Sequence, residues 1–274
     1  MDNNVLHESN EGTPQGSILS PLLANIALNG MEKTLKISYH ERTKKNYVFY
    51  ETKGNYRMVR YADDFVIFAK TKDDVEAIYD ILNPYLEERG LELAEEKTHI
   101  THICDGFDFL GFNFRRYPTF YGFIHLCKPS KDSIKQFKSK VAEICRHHHG
   151  HSVDELIYRL NLLIHGTANY WKPSSAKAVF SAMDSHIWRK IYKFVRRMHP
   201  NKSWTEIKEK YFPFYYDGRH YGNWILTGHK EWNNLIKMVW TPIKRHIMIQ
   251  FNNSPYDKSK TEYFKKREIS TCFG

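Results

Sequence analysis

Two adjacent carboxylates between two short apolar stretches constrain this chain more than any other feature of its sequence. Asp63 and Asp64 stand between residues 58–61 and 65–68, which are rich in residues that favour β-strands. The pattern predicts a β-hairpin with an acidic turn. Neighbouring carboxylates repel each other unless a cation neutralises them, so the pair indicates a metal site. An ordinary acidic turn is the alternative.

Oxygen-only ligands of this kind suit Mg²⁺, which favours one or two carboxylates together with substrate phosphates. Two such ions can hold an attacking hydroxyl and a phosphate in line for displacement. Asp63 and Asp64 are therefore the candidate catalytic and metal-binding residues, with Mg²⁺ as the cofactor.

The charge of the chain is divided unevenly. Residues 1–127 hold 14 Lys and Arg against 19 Asp and Glu, whereas residues 128–274 hold 27 against 12. The net charges of −5 and +15 predict an acidic part that carries a site, joined to a basic part that binds a partner. Because the basic part is also rich in Trp and Tyr, its expected partner is nucleic acid; a generic basic surface is the alternative.

The N-terminal half alternates between helical and strand patterns. Ser20-Pro21 fits a helix start, and the apolar spacing that follows predicts one helix to about Lys36. Its apolar face would consist of Leu22, Leu23, Ile26 and Met31. Residues 73–89 have helical spacing around Pro84. The sequence predicts an irregular segment or a hairpin at 37–55 and strands at 91–93 and 98–117, with a turn near Asp105-Gly106.

Helical spacing dominates from Lys128 onward, so the boundary between the two parts is expected at 118–130 and the fold class is α+β. The predicted helices cover 131–146, 152–170 and 174–198. Residues 152–155 and 203–206 each match a capping box, and Asp217-Gly218 predicts a hairpin turn. The six Trp residues of this half either stack on bases or pack in a core.

Several signals bear on location and on further metal sites. The four cysteines form no CxxC pair, and the first residues lack a secretory signal, so a reduced protein of the bacterial cytoplasm without a membrane span is expected. The histidines around 147–151 fit either a metal cluster or a polar turn between helices.

The acidic hairpin and three further segments resemble a known family. Tyr61-Ala62-Asp63-Asp64 resembles the active-site motif of reverse transcriptases. Residues 12–26, 90–98 and 107–112 resemble, in the family's order, further blocks of the branch encoded by group II introns, with Ser17 where members usually carry a second glycine. In the basic half, the segments that resemble the maturase region are 160–166, 169–171, 187–188 and 196–203.

The resemblance implies a partial right-hand polymerase palm with an antiparallel sheet at 1–127. A helical thumb or maturase region at 128–250 and a connector at 251–274 would follow. The residues that it implies for nucleotide and primer binding are Tyr61, Ala62, Pro14, Gln15, Gly16, Lys97, Phe109, Leu110 and Gly111. For Lys97, an ordinary exposed lysine is the alternative.

One predicted helix carries basic residues at one-turn spacing, which suits a face that follows a phosphate backbone. The candidate RNA-binding residues are Arg189, Lys190, Lys193, Arg196, Arg197 and Lys202. A solvated charged face is the alternative.

The resemblance implies an RNA-directed DNA polymerase with intron maturase function. Its partners would be intron RNA, a DNA target or primer, and dNTP. The family's metal site also needs an upstream carboxylate on a palm strand, and the eleven residues before Gly12 do not fit such a strand. The chain is therefore expected to be truncated at its N-terminus and inactive alone, with a fingers–palm fragment as a further partner. An RNA-binding splicing module and a nonfunctional mobile-element remnant are the alternatives.

Overall fold

The computed structural model describes residues 19–44, 47–148, 152–229, 233–245, 249, 254 and 256–272. The chain forms two compact units, one of residues 1–100 with 249–260 and one of residues 101–248 with 261–274. The architecture is mixed, with helices and small antiparallel sheets. The predicted boundary at 118–130 remains a prediction. None of the helices in the described part of the chain is both long and apolar enough to cross a lipid bilayer.

The first unit contains three helices and two antiparallel hairpins. Its elements in chain order are α1 (Ser20–Ala27), α2 (Met31–Thr34), β1 (Ser38–Lys44), β2 (Tyr47–Lys53), β3 (Arg57–Tyr61), β4 (Asp64–Phe68) and α3 (Lys72–Glu87). β1 pairs with β2 and β3 with β4. The hairpin alternative for 37–55 and the acidic hairpin are thus both confirmed. A capping box between Thr71 and Asp74 starts α3, and Pro84 lies inside it without ending it.

The prediction of a single helix from Ser20 to Lys36 is wrong, because the helix is interrupted at Gly30. Gly30 takes a φ of +108°, a conformation that costs glycine little and other residues much more. The predicted apolar face is also wrong, because Met31 is buried whereas Leu22, Leu23 and Ile26 are exposed. The core of this unit instead joins Leu28, α2, β3 and α3.

The second unit begins with a three-stranded antiparallel sheet. Its strands are β5 (Phe107–Phe109), β6 (Phe112–Thr119) and β7 (Gly122–Pro129), in the order β5-β6-β7. Residues 91–93 and 98–104 were predicted as strand but form turns and irregular backbone, whereas the turn predicted near Asp105-Gly106 is confirmed. Turn-forming hydrogen bonds at Ala94 and at His102 take the place of a ladder there.

Helices complete the second unit. They are α4 (Lys131–His147), α5 (Val153–Trp171), α6 (Lys177–Met198), α7 (Trp204–Tyr211) and α8 (Thr261–Cys272), and a short hairpin of β8 (Tyr215–Tyr216) and β9 (Tyr221–Gly222) follows α7. The capping box at 203–206 is confirmed, and Ser152 caps α5 through its hydroxyl. The core packs α4, α5, α6 and α7 around buried residues such as Leu156, Phe180 and Phe194.

Half-buried polar side chains bind the segment after β9 to the helices. Asp184 on α6 accepts hydrogen bonds from the backbone amides of Met238 at 2.8 Å and Val239 at 3.0 Å. Asn161 on α5 accepts from the amide of Ile236 and donates to the carbonyl of Asn234. These side chains form hydrogen bonds with backbone groups that have no partner in a sheet or helix.

Candidate functional site

The acidic turn is a two-residue loop that Arg60 holds in place. Tyr61 pairs with Asp64 across the hairpin, so Ala62 and Asp63 form the loop. The Nη1 group of Arg60 donates to the carbonyl of Ala62 at 3.1 Å and to Oδ1 of Asn25 at 3.0 Å. One guanidinium therefore fixes the turn and joins β3 to α1.

The turn is also strained. Ala62 takes a φ of +53°, a left-handed conformation that costs a residue with a Cβ about 1–2 kcal/mol. Strain of this kind persists only where the surrounding structure enforces it, and such positions cluster at functional sites. The strained residue directly precedes the carboxylate pair.

Both carboxylates face solvent and remain available to a ligand. Asp63 and Asp64 are exposed, and within the described ranges neither carboxylate has a hydrogen-bond or ion-pair partner. Their oxygens match Mg²⁺ in chemical type. The described residues contain no group of three or more His, Cys, Asp or Glu side chains that could hold a metal ion. The two aspartates therefore fit as a partial ligand set.

The other residues predicted for nucleotide and primer binding lie at different places. Tyr61 and Ala62 adjoin the carboxylates and are exposed. Lys97 is exposed in a turn after α3, and no hydrogen bond or ion pair of the described residues joins it to the acidic hairpin. Pro14, Gln15 and Gly16 lie outside the described residues.

Phe109, Leu110 and Gly111 belong to the second unit, at the turn between β5 and β6. The hydroxyl of Tyr170 donates to the Leu110 carbonyl at 2.7 Å, and that of Ser133 donates to the Gly111 carbonyl at 2.9 Å. Gly111 has a φ of +74°, and a Cβ there would lie 2.8 Å from Ser133 Oγ. The turn is thus tied to α4 and α5 and has no room for another residue type at Gly111.

The predicted basic stripe lies along α6. Arg189, Lys193 and Arg197 are exposed, and Lys190 and Arg196 are half-buried. None of these five cations takes part in an ion pair among the described residues. Arg196 donates to the carbonyl of Lys202 at 3.1 Å. The stripe is therefore unneutralised positive charge on a rigid helix.

A surface cavity of about 220 Å³ opens on this stripe, and its lining residues are His186, Arg189, Lys190, Tyr192 and Lys193. Burial and the nearby cations Lys190, Lys138 and Arg189 hold the pKa of His186 below its usual range, and a hydrogen bond to the Lys138 backbone opposes them. Burial first, and the nearby positive charges second, thus favour the neutral imidazole here.

Sequence reasoning missed an aromatic cluster beside the stripe. Trp204 stacks on Trp224 at 5.9 Å, and Tyr192 contacts Trp204 at 4.8 Å and Trp188 at 5.4 Å. Trp171 is buried, whereas Trp224 is partly exposed under the Lys208 ammonium. The spacing of Trp188 and Tyr192 by one helical turn was the available signal.

The histidine pair His147 and His148 contacts Glu143 and Glu155, which fits the polar-turn alternative.

Comparison with known proteins gives two family matches. Residues 2–114 match the family described as reverse transcriptase (RNA-dependent DNA polymerase). Residues 134–212 match the maturase-specific domain of group II introns. The first match contains the strained acidic turn, and the second contains the whole basic stripe.

The curated proteins that are similar to this chain include one from Escherichia coli and one from Lactococcus lactis. Protein YkfC of Escherichia coli is 35% identical over an alignment of length 141 that covers 44% of this chain and 37% of that protein. Group II intron-encoded protein LtrA of Lactococcus lactis is 29% identical over an alignment of length 199 that covers 50% of this chain and 33% of that protein. The chain thus spans about a third of the length of these relatives. Its residues 2–114 are thus similar to the reverse transcriptase family, its residues 134–212 are similar to the maturase-specific domain of group II introns, and the chain is similar to group II intron-encoded protein LtrA.

Proposed function

We propose that this chain is the RNA-binding and catalytic-hairpin part of a reverse transcriptase and maturase of the group II intron type. One observation carries the proposal: the unneutralised basic stripe of α6 lies within the residues that match the maturase-specific domain. Intron RNA is the partner that this surface suits best.

The spacing of the stripe suits a phosphate backbone. Arg189, Lys193 and Arg197 are four residues apart, so they follow one another about 6 Å apart along one side of the helix. Binding of their side chains to phosphates releases condensed counterions, which provides sequence-independent affinity. Lys190, Arg196 and Lys202 border the same face and extend the contact.

In the polymerase part, Asp63 and Asp64 would hold Mg²⁺, which would neutralise phosphate charge and orient the reacting groups. Tyr61 and Ala62 would lie beneath the primer end and the incoming dNTP. Pro14, Gln15 and Gly16 would contact template and nucleotide, and Lys97 the triphosphate. Residues 1–127 would form part of a right-hand palm and 128–250 a thumb.

The turn of Phe109, Leu110 and Gly111 would hold the primer end. Its support is the rigid attachment to Tyr170 and Ser133, which fits a surface that must keep a primer in one position. A DNA target or primer is the corresponding partner.

A second candidate function is that of an RNA-binding splicing module whose polymerase site is not used. The observation that favours it is the partial ligand set at Asp63 and Asp64 among the described residues. Under the first proposal, a separate fingers–palm polypeptide would supply the remaining carboxylate and so permit DNA synthesis.

Charge reversal on α6 tests the proposal. The Lys193→Glu and Arg197→Glu double variant should bind a labelled, structured intron RNA at least tenfold more weakly than the wild-type chain, since two phosphate contacts become repulsive. Lys70→Glu changes one exposed lysine of the first unit and should leave the affinity within about twofold. Equal affinity of the double variant and the wild type contradicts the proposal, and so does a wild-type chain without RNA affinity, as expected of a nonfunctional remnant.

A further inference from the structure

The loop of the β6–β7 hairpin carries two aromatic rings that are almost fully exposed to solvent. Phe120 and Tyr121 are 94% and 96% exposed, and their rings meet edge to face at 5.1 Å. Thr119 pairs with Gly122, so the two aromatic residues are the whole loop. Two-residue loops favour Asn, Asp and Gly, so neither turn geometry nor core packing explains these rings.

Cations cover the rings behind the loop on both faces of the hairpin. The guanidinium of Arg116 lies 3.9 Å above the ring centroid of Phe123. On the other face, Arg115 and Lys128 lie 5.2 Å and 4.7 Å from the ring centroid of Tyr117. The strand register places each cation on the same face as its ring, because successive residues alternate.

This part of the chain also lacks negative charge. Between Asp108 and Asp132 the sequence holds Arg115, Arg116, Lys128 and Lys131 and no Asp or Glu. A surface that combines cations without carboxylates and exposed aromatic rings matches the two needs of unpaired nucleic acid: phosphate neutralisation and base stacking.

We propose that the β6–β7 hairpin binds single-stranded nucleic acid, with unpaired bases stacked on Phe120 and Tyr121 and the backbone held by Arg115, Arg116 and Lys128. The edge-to-face arrangement leaves the face of at least one ring open to a base. Bases inside a duplex are already stacked and cannot use these rings, so the hairpin prefers single strands. This surface is separate from the α6 stripe and goes beyond the function proposed for that stripe.

A nucleic acid fits this hairpin better than a lipid surface does. Arg116 pairs with His125 across the strands, and Arg115 follows one position further from the loop. Charged groups thus occupy both faces close to the two loop residues. Only Phe120 and Tyr121 could enter a bilayer without taking charge with them, and desolvating a charge is costly.

Stacking can be measured directly with the full 274-residue chain. The probe is an oligouridine of about 12 nucleotides with one central 2-aminopurine, whose fluorescence falls when an aromatic ring stacks on it; the same probe is made as DNA and as a duplex. The test variant is Phe120→Ser with Tyr121→Ser. The matched control is Tyr256→Ser, because Tyr256 is also 96% exposed and lies outside the hairpin.

The wild type and the control should bind both single strands and quench the probe. The double serine variant should lose the quenching and at least about fivefold in single-strand affinity, with duplex binding unchanged. Retained quenching and affinity in that variant would overturn the proposal. The proposal would also be overturned if the double serine variant kept its single-strand affinity but no longer bound anionic phosphatidylglycerol vesicles, which would indicate a membrane. The same holds if it kept that affinity but no longer self-associated, which would indicate a second copy of the chain. The α6 double variant provides an independent measure of the proposed function.

Discussion

Arg60 donates a hydrogen bond of 3.0 Å to the side-chain oxygen of Asn25 and thereby joins α1 to the strand that leads into the acidic turn. The same Nη1 group reaches the carbonyl of Ala62 at 3.1 Å. A polar contact therefore secures α1 at this point, although its Leu22 and Ile26 side chains are exposed.

Arg60→Ala should loosen the acidic turn. The variant removes both hydrogen bonds, each of which contributes about 0.5–1.5 kcal/mol, and strained Ala62 loses its support. Amide hydrogen exchange at Asp63 and Asp64 should become about fivefold or more faster. Asn25→Ala keeps the bond to Ala62 and should have a smaller effect. Arg89→Ala, in the turn after α3, should have none. Unchanged exchange in Arg60→Ala would show that the guanidinium does not hold the turn.

The sequence predicted the elements whose signals are local. The two strand-favouring runs around Asp63-Asp64 predicted the hairpin, and the Ser203–Glu206 box predicted the start of α7. The break at Gly30 was missed because the apolar spacing continues across it. The backbone at Gly30, however, does not keep the helical conformation. The contacts of Arg60 with Asn25, and of Asp184 with Met238, join residues far apart in the chain, so no local pattern could indicate them.

DNA synthesis tests the catalytic assignment. With Mg²⁺ and a primed RNA template, the 274-residue chain alone should give no measurable primer extension, because Asp63 and Asp64 are a partial ligand set among the described residues and in-line transfer needs two positioned ions. RNA binding by the same preparation serves as the control for folding. Robust extension that Asp63→Asn abolishes would contradict this prediction and would establish that the chain holds a complete site.

Asp184→Ala should destabilise the second unit. The variant leaves the amides of Met238 and Val239 without their acceptor, and burial makes each loss cost about 1–3 kcal/mol. We expect the free energy of unfolding in urea to fall by about 2–4 kcal/mol. Asp184→Asn keeps one acceptor and should lose less, and exposed Glu209→Ala on α7 should change little. A loss below about 0.5 kcal/mol in Asp184→Ala would contradict the role assigned to this side chain.

Stability should depend on pH through His186. Its pKa in the folded chain lies below the unfolded value of about 6.5, so the unfolded chain binds the proton first. The free energy of unfolding should therefore fall as the pH drops below about 6.5, and the loss should be complete below the folded pKa. His186→Gln should flatten this decrease, whereas His125→Gln, an exposed control, should not. An unchanged pH profile in His186→Gln would rule out this linkage.

The salt dependence of RNA binding tests the central claim most directly. Affinity of the wild-type chain for a structured intron RNA should fall steeply between about 50 mM and 200 mM salt, since each phosphate contact releases counterions. In a plot of the logarithm of affinity against the logarithm of salt, the Lys193→Glu and Arg197→Glu variant should lose about two units of slope, and Lys70→Glu should keep the wild-type slope. A flat response of the wild type, or equal slopes for all three proteins, would contradict RNA binding through α6.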